Sequence, residues 1–169
     1  MGDPSSSTVD LQLTCDCGTV RGLALSVTPA NVTRLVCMCD DCQAYAHHLQ
    51  RADRVLDQHG GTEVFQTVPA RLRLSSGLDH IGCVQLTPNG LMRWYARCCQ
   101  TPLANTMRSP KVPFVGVHAA FIGADTDRDS TLGPVRCYTQ GRFGLRPLPP
   151  TARQRASLSI IIRSVRQLL

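Results

Sequence analysis

Cys15-Asp16-Cys17-Gly18 and Cys37-Met38-Cys39-Asp40-Asp41-Cys42 place five of the nine cysteines in two short stretches. Cys98-Cys99 forms a third group, while Cys83 and Cys137 stand apart. Thiolates are common ligands of structural zinc, which takes four donors in a tetrahedron. Cys15 and Cys17 supply two donors, and Cys98 and Cys99 are the natural second pair. Adjacent residues of a regular strand face opposite ways. Both sulfurs therefore reach one metal only where the chain leaves strand geometry, and Cys99 is the firmer ligand of the two. Gly18 permits the positive φ that a tight metal turn needs.

Cys37, Cys39 and Cys42 form a self-contained triad. The first two can share one side of an extended segment, and Cys42 comes round on the first turn of a following helix. Three protein ligands with no local fourth donor describe a zinc with an open position. His47 and His48 lie about one and a half helical turns further on and read more simply as core or surface histidines. Asp40 and Asp41 read as helix-start carboxylates that complement the dipole. Cys83 and Cys137 read as buried thiols acting as small hydrophobes. A metal with three thiolates is a poor Lewis acid for water. It is better suited to holding a thiol substrate as its thiolate at neutral pH. Gln100 and Thr101 stand close enough in sequence to hydrogen-bond near the sites. A disulfide between Cys39 and Cys42, giving a redox role, is a weaker alternative.

The elements that must carry these residues are mostly strands. Residues 9–14 alternate apolar with polar side chains, and 19–27, 32–36, 63–68, 71–75, 81–86 and 91–96 read as further short strands between Gly, Pro and Asn breaks. Residues 40–54 have helical character, 112–122 are a further apolar stretch, and 123–144 read as loops. A basic amphipathic helix is expected from Thr151, with Thr151 as its N-cap. The expected organisation is a disordered start at 1–8, a zinc-binding domain at 9–122, a loop-rich connector at 123–150 and the helix at 151–169. That helix packs on its own domain or on a second copy, which makes it a candidate homodimer contact.

At 169 residues the chain can bury a core without disulfides. The polar N-terminus has no secretory pattern, so clustered cysteines read as metal ligands in a reducing, cytoplasmic setting. No apolar run reaches membrane-spanning length. The net charge is +6, but the arginines are scattered and aromatics make up only 5%. A nucleic-acid footprint wants a basic stripe interleaved with aromatics, so neither nucleic acid nor membrane is an expected partner.

The cysteine motifs, with Gly61-Thr-Glu-Val-Phe-Gln66, Gly77 and Arg93-Trp-Tyr-Ala-Arg-Cys-Cys-Gln-Thr-Pro-Leu103, resemble the glutathione-dependent formaldehyde-activating enzyme and centromere protein V family over residues 9 to 122. The resemblance implies a mainly β fold of stacked antiparallel sheets, the β-tent. It implies a structural zinc on Cys15, Cys17, Cys98 and Cys99, and a second zinc on Cys37, Cys39 and Cys42 near bound glutathione. It also implies carbon–sulfur chemistry that joins glutathione to formaldehyde, a lyase or synthase type of activity. Two departures mark a divergent subgroup: Ala96 stands where the family has a cysteine, and Gln43 stands where it often has a basic residue. The competing expectation is a non-enzymatic, zinc-stabilised scaffold or protein-interaction module.

Overall fold

The computed structural model describes residues 8–155. Alternation of apolar and polar side chains sets its first sheet. In β1 (Val9–Thr14), Leu11 and Leu13 point inward and their neighbours outward. Strand β2 (Arg21–Val27) returns antiparallel to it, and β5 (Leu72–Ser76) pairs with the other edge of β2. The second sheet has seven strands in the order β10-β3-β4-β9-β8-β7-β6. Its members are β3 (Thr33–Cys37), β4 (Thr62–Thr67), β6 (Ile81–Val84), β7 (Met92–Ala96), β8 (Pro102–Thr106), β9 (Val115–His118) and β10 (Tyr138–Thr139). All its pairings are antiparallel except β10 with β3.

Both sheets contribute to one apolar core. Leu11, Leu13 and Ala24 from the first meet Phe65, Ala104 and Val117 from the second, with Val20 and Phe121 from the adjoining turns. A bridge between Leu13 and Ile122 ties the sheets together. The fold is thus mainly β, as expected from the sequence. Two glycines allow the close approaches it needs. A Cβ on Gly61 would lie 2.3 Å from Val36 Cγ1, and one on Gly77 would lie 2.5 Å from the Thr19 carbonyl oxygen. Gly77 also has φ +69, a region that side chains with a Cβ rarely adopt. These positions let β4 start beside Cys37 and let β5 end against the first cysteine loop.

The helical stretch at 40–54 divides into α1 (Asp40–His48) and α2 (Ala52–Val55), because Gln50 takes a left-handed φ of 54. The apolar stretch 112–122 becomes β9 followed by a 3-10 turn at Ala119–Phe121. Within 123–144, read as loops, lie α3 (Arg128–Leu132), capped by the Asp127 carboxylate, and β10. Strand β8 carried no strand signal in the sequence, since it opens on Pro102. Proline is tolerated as a first strand residue.

The terminal helix does not begin at Thr151 as expected. Ala152 bridges to Tyr138, and Arg153 N–H donates to the Tyr138 carbonyl at 2.7 Å. The segment there is held as an extension of the β10 edge, which competes with helical hydrogen bonding. The remainder of that predicted helix and the disordered start at 1–7 lie outside the described residues. Among the described residues no helix is long and apolar enough to cross a membrane.

Candidate metal centres

The β1–β2 turn presents the first cysteine pair. Gly18, at φ +75, donates its N–H to the Cys15 carbonyl at 2.8 Å. Cys15 N–H donates to the Val20 carbonyl at 2.9 Å, and Val20 N–H donates back to Cys15 Sγ at 3.2 Å. The second pair comes from the turn between β7 and β8. Strand geometry stops at Ala96, and Gln100 takes a left-handed φ of 58 while its N–H donates to the Ala96 carbonyl at 2.7 Å. That turn lets the adjacent Cys98 and Cys99 side chains serve one cluster.

Cys15 and Cys17 sulfurs lie 3.7 Å apart, Cys15 and Cys98 3.9 Å, Cys17 and Cys98 3.3 Å, and Cys98 and Cys99 3.9 Å. All four sulfurs fall within 4.8 Å of one another. Zinc–sulfur bonds of about 2.3 Å in a tetrahedron put the sulfurs about 3.8 Å apart, so the donor set fits a metal of that kind. The separations are far above the bonded distance of about 2.05 Å in a disulfide, and all nine cysteines are free thiols. Thr101 braces the cluster: its hydroxyl lies 3.1 Å from Cys99 Sγ and accepts the Asp16 N–H at 3.1 Å. Asp16 also pairs with Arg51 at the start of α2. The Thr19 hydroxyl and backbone N–H, with Cys98, pull the exposed Cys17 thiol down to about 6, so it presents a thiolate readily.

The triad is built by the entry into α1. Cys39 is the N-cap, and its Sγ accepts the Cys42 N–H at 3.4 Å. Cys37 Sγ lies 3.4 Å from Cys39 Sγ, and all three sulfurs fall within 4.8 Å of one another. This cluster is far less accessible than the first: Cys42 is buried, and Cys37 and Cys39 are partly covered. Hydrogen bonds from Cys37 and then Cys42 hold the Cys39 thiol well below its ordinary range, against the cost of burial. The same sharing with Cys39 raises Cys37. Gln43, which stands where the family resemblance expects a basic residue, does a structural job. Its amide donates to the Met38 carbonyl at 2.9 Å and the Phe143 carbonyl at 3.0 Å, fastening the loop that follows β3 to the chain near Gly144.

Other sequence candidates are placed elsewhere. His47 and His48 are exposed on α1 and join neither cluster. Asp40 and Asp41 occupy the first turn of α1. Cys137 is buried as expected, but Cys83 is exposed. It lies on β6, the edge strand of its sheet, where core cover is least complete.

Sequence reasoning assigned no role to Arg93, Tyr45 or His118, which form a buried polar group behind the triad. Arg93 is 2% exposed, Tyr45 0% and His118 1%. Tyr45 donates its hydroxyl to the Trp94 carbonyl at 2.9 Å, and its ring lies 5.7 Å from that of His118. Neither ring nitrogen of His118 has a partner among the described residues. Burial, aided by the Arg93 charge, pushes His118 down to about 3. A depressed folded-state value means that the unfolded chain binds the proton first. Stability is then lost as pH falls from about 6.5, with the loss complete near 3. The contribution approaches about 1.4 kcal/mol per pH unit across that window. In parallel urea titrations at pH 7 and 5, His118→Phe should show the smaller loss of stability. An equal loss in both proteins would mean that His118 is not held neutral.

A cavity of about 570 Å³ opens beside the four-sulfur cluster, lined among others by Asp16, Arg51, Arg54, Glu63, Thr101 and Arg128. Its charges are internally matched: Arg54 lies 3.7 Å from Asp16, and Arg128 lies 3.1 Å from Glu63. No cysteine lines it.

Fold and clusters together define a mainly β protein with two cysteine groups able to hold metal ions. Within that class, the chain belongs to DUF6151, a family of unknown function, which it matches over residues 6–167. No curated protein matches the sequence. Among solved structures it is similar to the crystal structure of a Rhodobacter sphaeroides protein. That protein is 20% identical, with a TM-score of 0.53 over 76% of this chain and 100% of that one. At that identity the likeness shows the fold alone.

Proposed function

We propose that the protein binds two zinc ions and uses the Cys37/Cys39/Cys42 centre for carbon–sulfur chemistry on a thiol, in the manner of the glutathione-dependent formaldehyde-activating enzymes that its motifs resemble. The observation that carries this reading is the unequal donor count. One cluster gathers four sulfurs and the other gathers three. A tetrahedral ion is therefore complete on the first and has one position to offer on the second. When bound there, zinc would supply a thiol at neutral pH in its thiolate form.

The residues of the chain set the rest. The α1 N-terminus and its cap hold Cys39 and Cys42 in one orientation, and the burial of Cys42 keeps bulk water from that side of the centre. The supported reaction is addition of a thiol S–H across an aldehyde C=O. A carbon–sulfur bond forms, the proton passes to the oxygen, and no redox partner is needed. The reverse reaction is release of the thiol from the adduct.

Metal analysis of protein purified under reducing conditions should give two zinc ions per chain, one of them removed first by a chelator. Glutathione should protect that labile ion, and exchange spectroscopy should show faster adduct formation with formaldehyde than in buffer. One zinc per chain, with three triad thiols titrating freely, would mean a zinc-stabilised scaffold and would overturn the enzymatic reading.

A further inference from the structure

A buried guanidinium is costly unless opposite charge lies close to it. Arg93, on β7, is almost wholly buried, and the carboxylate nearest to it is Asp41 at 3.6 Å, itself a third exposed. Its other neighbours are Cys42 Sγ at 3.8 Å and the Tyr45 ring face at 5.3 Å. Its Nε has no partner among the described residues. Asn105, directly opposite on β8, is also buried and offers no charge. The half-screened Asp41 is a weak counter-ion for so deep a cation. Three thiolates around one divalent ion would carry a net charge of −1 within reach of it.

Resting on the zinc reading above, we propose that Arg93 is the fixed counter-charge of the Cys37/Cys39/Cys42 centre and selects an anionic thiolate, rather than a neutral donor, for its fourth position. A fourth thiolate would take the centre to −2, and in a partly desolvated site that added charge is strongly opposed. Arg93 returns the local sum to −1. A neutral donor leaves the centre at −1 and draws little advantage from the arginine. Arg93 acts through the charge on Cys42 and is a positioning residue. Asp41 competes for the same guanidinium and weakens the effect.

The test uses full-length protein loaded with cobalt(II), whose sulfur-to-metal charge-transfer bands report ligands at the open centre. The four-sulfur cluster has no position to offer. Titrations with 2-mercaptoethanol and with imidazole give two affinities. Arg93→Met should weaken thiol binding about tenfold or more while changing imidazole binding little. Arg93→Lys, which restores the charge without the planar fork, should recover much of the loss. Asp41→Asn should shift the preference further toward thiol. A loss of structure around the centre would weaken both probes together and leave their ratio unchanged, which would overturn the proposal. Should Arg93→Met fail to fold, Arg93→Lys and Asp41→Asn still decide, since an unmoved thiol-to-imidazole ratio in Asp41→Asn overturns it. Cobalt at only one site per chain would instead bring down the two-metal reading itself. Two cobalt ions with no Arg93 or Asp41 effect would bring down this inference alone.

Discussion

Cys17→Ser should abolish stable folding or lower the melting temperature by tens of degrees. Cys17 is the informative choice because its side chain is exposed. Without metal, an exposed cysteine-to-serine change costs within about 0.5 kcal/mol. Binding energy at a structural zinc is folding energy, on the order of 10 kcal/mol in small zinc domains, and one missing ligand forfeits much of it. The cluster also closes a long loop. Cys15 and Cys98 are separated by 83 positions, so a cross-link there removes about 4.5 kcal/mol of unfolded-chain entropy. Calorimetry of native and variant protein, with and without added zinc, checks the prediction. An unchanged, zinc-independent melt for the variant would refute a metal role for the four sulfurs. Cys15→Ser would be a poorer test, because Cys15 is 2% exposed and its loss confounds packing with ligation.

Cys39→Ser should have the opposite profile, with the fold kept and the second metal lost. Serine is among the best N-cap residues, so its hydroxyl can take over from Cys39 Sγ in accepting the Cys42 N–H. Two thiolates then remain where three stood, and affinity should fall by more than about a hundredfold, beyond what outer partners of a ligand control. Metal content should drop from two ions per chain to one, the melt should remain cooperative, and thiol–aldehyde activity should disappear. Collapse of the fold would make the triad structural. Retention of both ions with full activity would remove Cys39 from the centre.

The triad could be read from the sequence because Cys-x-Cys-x-x-Cys at a helix entry fixes the geometry locally, whereas the four-sulfur group was read by matching two remote cysteine pairs left over and from the family resemblance. The Cys98-Cys99 pair was readable only as a condition, that the chain abandon strand geometry there. The positive φ of Gln100 meets that condition, and a non-glycine residue gives no such signal in advance. The strands of alternating pattern were legible for the same local reason.

What escaped depends on the partners that each strand meets. Cys83 looked like a core thiol within an apolar segment, but strand order puts β6 at an edge. Arg93 looked like one more scattered surface arginine, yet α1 covers that face of the sheet and leaves it 2% exposed. An arginine set among the apolar residues of a strand just before a cysteine pair was the available clue. The matched ion pairs of the cavity join β1–β2, α2, β4 and α3 across long separations, which no local pattern encodes.

The contrast in cover between the two sulfur groups carries a consequence for how the molecule ages. Metal shields its ligands from oxidants. Without an ion, Cys17 and Cys98 are exposed thiols 3.3 Å apart, within easy reach of peroxides. A modest rotation of the side chains would close a disulfide or leave a sulfenic acid where a ligand is needed. Oxidant would therefore meet the four-sulfur group before the more covered triad. If the four-sulfur cluster holds a metal as proposed, its exposed thiols are the ones that loss of that metal would open to oxidants first.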